Sequence, residues 1–227
     1  TYLSKVREMA DASGLHLPQP VVFEGNAPSH VSENNLMWDA LRECPVRPPA
    51  KGRMWLGAPN SIKGPTEAVF QAQSGNNLMI VGQREESALS ILSVGLIGLA
   101  AQYPKDAARF IFCDASPPGS PARDYVERVA GMTRHAVTLA KPGELPAVMK
   151  ELADEQKLRA EQTEAEGFPP VYLFIHDLPR FGRLRHEEDF GFSSGEAAEP
   201  APGALFNSLL TEGTRLGFHV IASCDSF

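Results

Sequence analysis

The sequence predicts an α/β fold in which helices cover both faces of a mostly parallel sheet. From Arg53 onward, short apolar runs alternate with amphipathic helical stretches, the pattern typical of such sheets. One run, Leu78 to Val81, turns at Gly82 into a helical stretch. With 227 residues and 43% hydrophobic side chains, the chain can bury a sizeable core. We therefore expect one globular domain with a small extension.

The extension covers residues 1–52. A helical spacing of apolar residues runs from Thr1 to Ser13, and Gly14 is placed to stop it. We also expect a short strand at Val21 to Phe23 and a short helix around Leu36 to Leu41. The proline-rich run Pro45 to Gly52 indicates a linker, so the predicted domain boundary falls there and the main domain covers residues 53–227.

The main domain contains six predicted strands and four predicted helices. The strands are Met54 to Leu56, Leu78 to Val81, Phe110 to Cys113, Ala136 to Leu139, Val171 to Ile175 and Phe218 to Ser223. The helices are Ser87 to Tyr103, Ala122 to Gly131, Glu144 to Glu166 and Ala204 to Leu216. Gly182 to Gly203 has no apolar period, which predicts a mobile loop.

Charge and cysteine content limit the classes of partner. The net charge of −7 and pI near 5.4 match nucleic acid poorly, so any DNA contact must be local. Cys44, Cys113 and Cys224 are widely spaced, which indicates thiols in a reducing, cytoplasmic compartment. No apolar run is long enough to span a bilayer, so we expect no direct membrane contact by this segment. The chain starts without Met, and a larger parent protein with membrane association stays possible.

The segment after Leu78 to Val81 has the layout of a phosphate-binding loop. In a working loop, G-x-x-x-x-G-K-[ST], backbone N–H groups cradle phosphates, lysine neutralises them and the hydroxyl binds magnesium. Counting from Gly82, the last three positions hold no lysine and no magnesium-binding hydroxyl. We expect weak or absent nucleotide binding, and the candidate residues are Gly82, Gln83, Arg84, Glu85, Glu86, Ser87, Ala88 and Leu89.

Three blocks carry a family resemblance. They are Trp55 to Gly57 ahead of Asn77 to Gly82, then Val171 to Asp177, then Glu212 to Ser223 with its Gly217-Phe218-His219-Val220 corner. The chain resembles an ATPase domain of the FtsK/SpoIIIE group, in the HerA/FtsK superfamily of motors, from about residue 53 to residue 226. This resemblance implies a three-layer RecA-like P-loop NTPase fold. It alone implies ATP and Mg²⁺ as cofactors, because the residues themselves predict none.

Departures from the family pattern predict a degenerate site. Where the family has the Asp-Glu pair of its Walker B strand, this sequence has His176 and Asp177, and histidine is a poor ligand for magnesium. Cys224 stands where the family often has glutamine. We assign no catalytic residue outright; His176 and Asp177 are the candidates. The losses together indicate a pseudo-ATPase.

Other polar residues allow a functional and a structural interpretation. Arg183 and Arg185 are candidate phosphate contacts in a basic cluster with Arg180 and His186, although a solvated loop balanced by nearby acidic residues is favoured. Asp114 follows a predicted strand at the same sheet edge as His176 and could face the same crevice, although a turn-initiating role is favoured. His219, between apolar residues, is interpreted as a hydrogen-bonded core histidine.

The predicted function is a pseudo-ATPase module of a larger DNA-translocase-type motor, with a structural or regulatory role in a ring. Its partners would be other domains or subunits of that ring, with DNA reached through the parent protein. Three alternatives stay open: an active ATPase in which Arg84 replaces the lysine, a type VII secretion motor module, and an α/β module that binds another ligand.

Overall fold

The computed structural model describes residues 1–14, 30–57, 64–162, 167–185 and 200–226. The helices are α1 (Tyr2–Ala12), α2 (Asn35–Arg42), α3 (Glu85–Ala101), α4 (Pro121–Met132), α5 (Leu145–Glu161) and α6 (Pro202–Thr211). The strands are β1 (Gly52–Gly57), β2 (Thr66–Phe70), β3 (Leu78–Val81), β4 (Arg109–Asp114), β5 (Val137–Ala140), β6 (Val171–His176) and β7 (Phe218–Cys224).

The main sheet has five parallel strands in the order β3-β7-β6-β4-β5. Helices α3 and α4 pack on one face, with Leu92 and Val126 in their core. Helices α5 and α6 pack on the other face, with Leu152 and Phe206 in theirs. Every residue of β6 is buried, because this central strand has helices on both sides. The predicted three-layer α/β fold, with helices on both faces of a parallel sheet, is confirmed.

A separate antiparallel hairpin corrects the predicted sheet. Strand β1 was expected in the main sheet, but it pairs with β2, a strand that the sequence analysis missed. The hairpin packs on α3. Two glycines permit this close approach: a Cβ on Gly52 would stand 2.2 Å from the Tyr172 hydroxyl, and one on Gly95 would stand 2.3 Å from Met54 Cε.

The N-terminal region contains both predicted helices. Helix α2 packs on α3, and its one buried residue is Met37. Helix α1 has no buried residue. The predicted strand Val21 to Phe23 lies outside the described residues. No helix in the described part of the chain is both long and apolar enough to cross a membrane.

Two predicted boundaries need correction. The region predicted as a mobile loop from Gly182 begins with a 3-10 turn, Gly182–Leu184, which buries Leu184, and the helix α6 begins at Pro202, before the predicted end of that loop. Residues 186–199 lie outside the described ranges. Helix α5 ends at Glu161, short of the predicted Glu166, and residues 163–166 are likewise not described.

Candidate functional site

The connection between β3 and α3 is only three residues long, Gly82 to Arg84. Because α3 begins at Glu85, the fourth position of the expected eight-residue loop is already helical. The Gly82 N–H donates to the Cys224 carbonyl oxygen at 3.0 Å, which ties the connection to β7. A Cβ on Gly82 would meet no atom of the described residues within 4 Å, so no contact within the described protein requires glycine at this position.

The last two positions of the expected loop lie inside the helix and are buried. Ala88 and Leu89, where a phosphate-binding loop has lysine and a hydroxyl residue, are each 7% exposed. Glu85 and Glu86 are exposed in the first turn of α3. Carboxylates are stabilised by the positive end of the helix dipole. The chain thus places two carboxylates at the start of α3, the end of a helix that favours anions.

Arg180 lies between the start of α3 and the end of β6. Its Nη2 is 3.6 Å from Glu85 Oε1, and its Nε is 2.5 Å from Asp177 Oδ2. Asp177 adopts a left-handed backbone with φ of 60°, and its N–H donates to Ser223 Oγ at 3.0 Å. Asp177 is therefore held by β7 and by Arg180, which follows it in the next 3-10 turn.

A buried polar cluster lies at the carboxyl ends of β4 and β6, which meet at the same edge of the sheet. Asp114 Oδ1 accepts hydrogen bonds from the Ser116 N–H at 3.2 Å and the Ser116 hydroxyl at 2.8 Å, and it is 3.4 Å from His176 Nδ1. Asp114 Oδ2 is 3.6 Å from Arg123 Nη1 on α4. Asp114, His176 and Arg123 are all buried, so this cluster links the sheet to α4.

The protonation of Asp114 follows from these contacts. Burial alone would raise its pKa, but the hydrogen bonds from His176 and Ser116 outweigh burial and lower the pKa below 3.8. Asp114 is therefore a carboxylate at neutral pH. Asp114 Oδ2, Arg123 Nη1 and His176 Nε2 have no hydrogen-bond partner among the described residues. In a buried site the Asp114 carboxylate and the Arg123 guanidinium depend on each other for stabilisation.

The residues at this edge do not fit Mg-ATP. No ammonium and no hydroxyl project from positions 88 and 89, and the Arg180 guanidinium already faces two carboxylates. His176 is buried against Asp114 and offers no oxygen to a magnesium ion. Arg84, the candidate replacement for lysine, is the exposed N-cap residue of α3. The assignment of Gly82 to Leu89 as a nucleotide-binding segment stays a prediction.

The structure brings together only part of the predicted basic cluster. Arg180 contacts Glu85 and Asp177. Arg183 and Arg185 are exposed on either side of the buried Leu184, and His186 lies outside the described residues. Their role as phosphate contacts stays a prediction. The predicted turn at Asp114 is confirmed by its two hydrogen bonds from Ser116.

Arg123 is the main site residue that sequence reasoning missed. Its side chain is buried and donates from Nε to Glu127 Oε1 at 2.7 Å. The signal was present, because Arg123 stands three and six residues before the buried Val126 and Val129 on the same face of α4.

His219 is a hydrogen-bonded core residue, as predicted. Its Nδ1 donates to the Asn76 carbonyl oxygen at 2.9 Å, and its ring stacks on Tyr172 with centroids 5.5 Å apart. Burial lowers the pKa of His219 below 6.5, although the bond to Asn76 acts in the opposite direction. The folded state therefore resists protonation of this ring.

This pKa shift predicts a loss of stability in mild acid. The unfolded chain takes up a proton at His219 near pH 6.5 while the folded chain does not, so stability is lost as the pH falls below 6.5 toward the lowered pKa. In His219→Leu, the free energy of unfolding should change less between pH 7 and pH 5, although it is lower at pH 7. Urea titrations across this range measure how the free energy of unfolding changes with pH.

His30→Gln, at an exposed position, is the control and should show the same pH dependence as the wild type. A His219→Leu variant with the pH dependence of the wild type would contradict the expectation.

The three cysteines differ in exposure. Cys113 and Cys224 are buried, and Cys44 is exposed. Burial raises the pKa of the Cys113 thiol to about 12, so it stays protonated at neutral pH.

The fold defines the class at the level of architecture: a three-layer α/β fold with a five-stranded parallel sheet between two layers of helices. No protein-family model matches the chain, and no curated protein sequence matches it significantly. Solved structures do match. The cytoplasmic domain of EssC is 16% identical with a TM-score of 0.52, over 98% of this chain and 39% of that one.

Two structures of EccC from Thermomonospora curvata are also similar. One contains ATPases 2 and 3 in complex with a signal sequence peptide; it is 13% identical with a TM-score of 0.52, over 78% of this chain and 29% of that one. The other, the cytoplasmic domain of the type VII secretion ATPase, is 14% identical with a TM-score of 0.51, over 78% and 19%. At these identities the likeness shows the fold alone, and the chain spans between 19% and 39% of the lengths of the three structures.

Proposed function

We propose that this chain is a non-hydrolysing ATPase-type module of a larger multi-domain motor, with a structural or regulatory role. The observation that carries the proposal is the three-residue connection from β3 to α3, with Ala88 and Leu89 buried where phosphate and magnesium ligands are needed. In this proposal, residues 53–227 form the module and residues 1–52 are its extension.

Phosphoryl transfer depends on charge stabilisation and positioning. Removing one stabilising donor from an active site typically costs about 3–4 kcal/mol of transition-state stabilisation. Here lysine and the magnesium-binding hydroxyl are missing, His176 replaces the first acidic Walker B residue, and Arg180 is engaged by Glu85 and Asp177. Losses of this size make turnover negligible.

We further propose that the parent motor transports protein, as in type VII secretion, and not DNA. The support is twofold. The similar structures include a type VII secretion ATPase and a complex with a signal sequence peptide. The chain itself carries a net charge of −7, which opposes binding to a polyanion. This choice replaces the DNA-translocase interpretation suggested by the sequence.

Calorimetric titration with Mg-ATP tests the non-hydrolysing role. We expect no binding heat at concentrations where working ATPases saturate, and no phosphate release above a buffer blank. Mg-ADP and ATP without magnesium serve as parallel titrations. Micromolar binding with hydrolysis would overturn the proposal, and the active-ATPase alternative with Arg84 would replace it.

Restoring the missing lysine should destabilise the chain without creating a nucleotide site. Ala88→Lys places an ammonium at a buried position, so the free energy of unfolding should fall by about 2 kcal/mol or more. The neighbouring Ser87 is exposed, so Ser87→Lys should change it by less than about 0.5 kcal/mol. Urea unfolding measures both variants. An Ala88→Lys protein that keeps its stability and gains Mg-ATP binding would refute the proposed absence of a phosphate cradle.

A further inference from the structure

An apolar groove of about 650 Å³ lies between α2, β1 and α3. Its apolar lining in the described part of the chain includes Val31, Leu36, Trp55, Leu56, Ile91 and Val94. Glu33 and Glu86 also line it and are exposed, whereas the lining contains no lysine or arginine among the described residues. A groove of this size with an apolar lining and acidic side chains suits an amphipathic helix with basic flanks.

Helix α1 has these properties, and its apolar face is not buried against any of the described residues. Its apolar residues are Tyr2, Leu3, Val6, Met9 and Ala10, which at 3.6 residues per turn fall within an arc of about 120°. Lys5 borders one side of this arc and Arg7 borders the other. The large members of the stripe are exposed, Leu3 by 79% and Met9 by 68%.

We infer that α1 of one copy docks into the groove of a second copy of this chain. The two surfaces match in chemistry: an apolar stripe faces an apolar lining, and Lys5 and Arg7 face Glu33 and Glu86. In the described part of one copy the two surfaces do not meet, because no α1 residue lines the groove and none is buried. Two different surfaces on each copy give a head-to-tail contact, which generates a ring or a filament.

Site-specific cross-linking tests the contact. In a Cys44→Ser background, which removes the exposed cysteine, Val6→Cys on the stripe is mixed with a differently tagged Leu36→Cys in the groove. Mild oxidation should give a disulfide-linked heterodimer. Glu8→Cys, on the opposite side of α1, is the matched control and should give little of it. Equal yields from Val6→Cys and Glu8→Cys would overturn the proposal. The proposal would also be overturned if a chain with both Val6→Cys and Leu36→Cys formed only an intramolecular disulfide.

Sedimentation gives an independent measurement. Val6→Glu should abolish self-association. Because Val6 is exposed, the circular dichroism spectrum should show an unchanged fold. Lys5→Glu/Arg7→Glu should weaken association about fivefold, and adding Glu33→Lys/Glu86→Lys should restore it. A wild-type chain that stays monomeric up to millimolar concentration would overturn the contact. None of these outcomes bears on nucleotide binding, so the proposed function stands or falls separately.

Discussion

Asp114→Asn should lower the free energy of unfolding by about 3 kcal/mol or more. Asp114 is fully buried, and its carboxylate is the anion facing Arg123 and His176. Removing one partner of a buried ion pair leaves the other charge uncompensated, which typically costs about 3–5 kcal/mol. Urea unfolding at pH 7 measures the loss. The exposed Asp154→Asn on α5 is the control and should change stability by less than about 0.5 kcal/mol.

The pH dependence of the same variant distinguishes charge from packing. Because the folded pKa of Asp114 is lowered, its contribution is fully present above about pH 3.8 and is lost as the pH falls through the lowered folded value. The difference between wild type and Asp114→Asn should therefore shrink in strong acid. A loss below about 1 kcal/mol at pH 7, or one that does not depend on pH, would show that Asp114 acts through shape alone.

Gly52→Ala should destabilise the chain by about 3 kcal/mol. The new methyl group would stand 2.2 Å from the Tyr172 hydroxyl, 2.9 Å from the Tyr103 hydroxyl and 3.0 Å from Leu99 Cδ2. These neighbours are buried, and the two tyrosine hydroxyls are hydrogen-bonded at 2.7 Å, so neither can move without breaking a contact. Overpacking a well-packed core costs about 1–3 kcal/mol and occasionally more.

Gly57→Ala is the matched control for Gly52→Ala, because Gly57 ends the same strand and a Cβ there would meet none of the described residues within 4 Å. Its stability should change by less than about 0.5 kcal/mol. Thermal unfolding of both variants under one condition makes the comparison. Equal effects would mean that strand propensity at β1, and not contact with the tyrosines, sets the cost.

Local patterns in the sequence predicted most of the fold. Leu78–Val81 was predicted to the residue, because a short apolar run bounded by Asn77 and Gly82 has clear ends. Thr66–Phe70 was missed, since five residues after a glycine and proline give little periodic signal. Without that partner, β1 was placed in the wrong sheet. Pairing is a long-range property that alternation within one strand does not specify.

The site was harder to predict than the fold. The loop positions at residues 82–89 were identified by their spacing, but α3 begins two residues before the predicted Ser87, since Glu85 and Glu86 are good helix formers at a helix start. The His176 and Asp114 contact was only suggested by their positions at strand ends. Arg123 was missed because its partner, Asp114, lies at the end of β4. Sequence spacing does not show which strand end a helix will cover.

The charges at the end of β6 and the start of α3 also influence which ligands can approach this part of the molecule. Glu85, Glu86 and Asp177 supply three carboxylates, and Arg180 is the guanidinium that pairs with two of them. With Arg84, the exposed N-cap residue of α3, the group holds three carboxylates and two guanidinium groups, so its formal charge is −1, the reverse of the polarity that a triphosphate needs. We expect these charges to repel a polyanion weakly and to attract a basic segment, and added salt weakens both effects. This edge of the sheet should therefore favour a cationic segment over an anionic one.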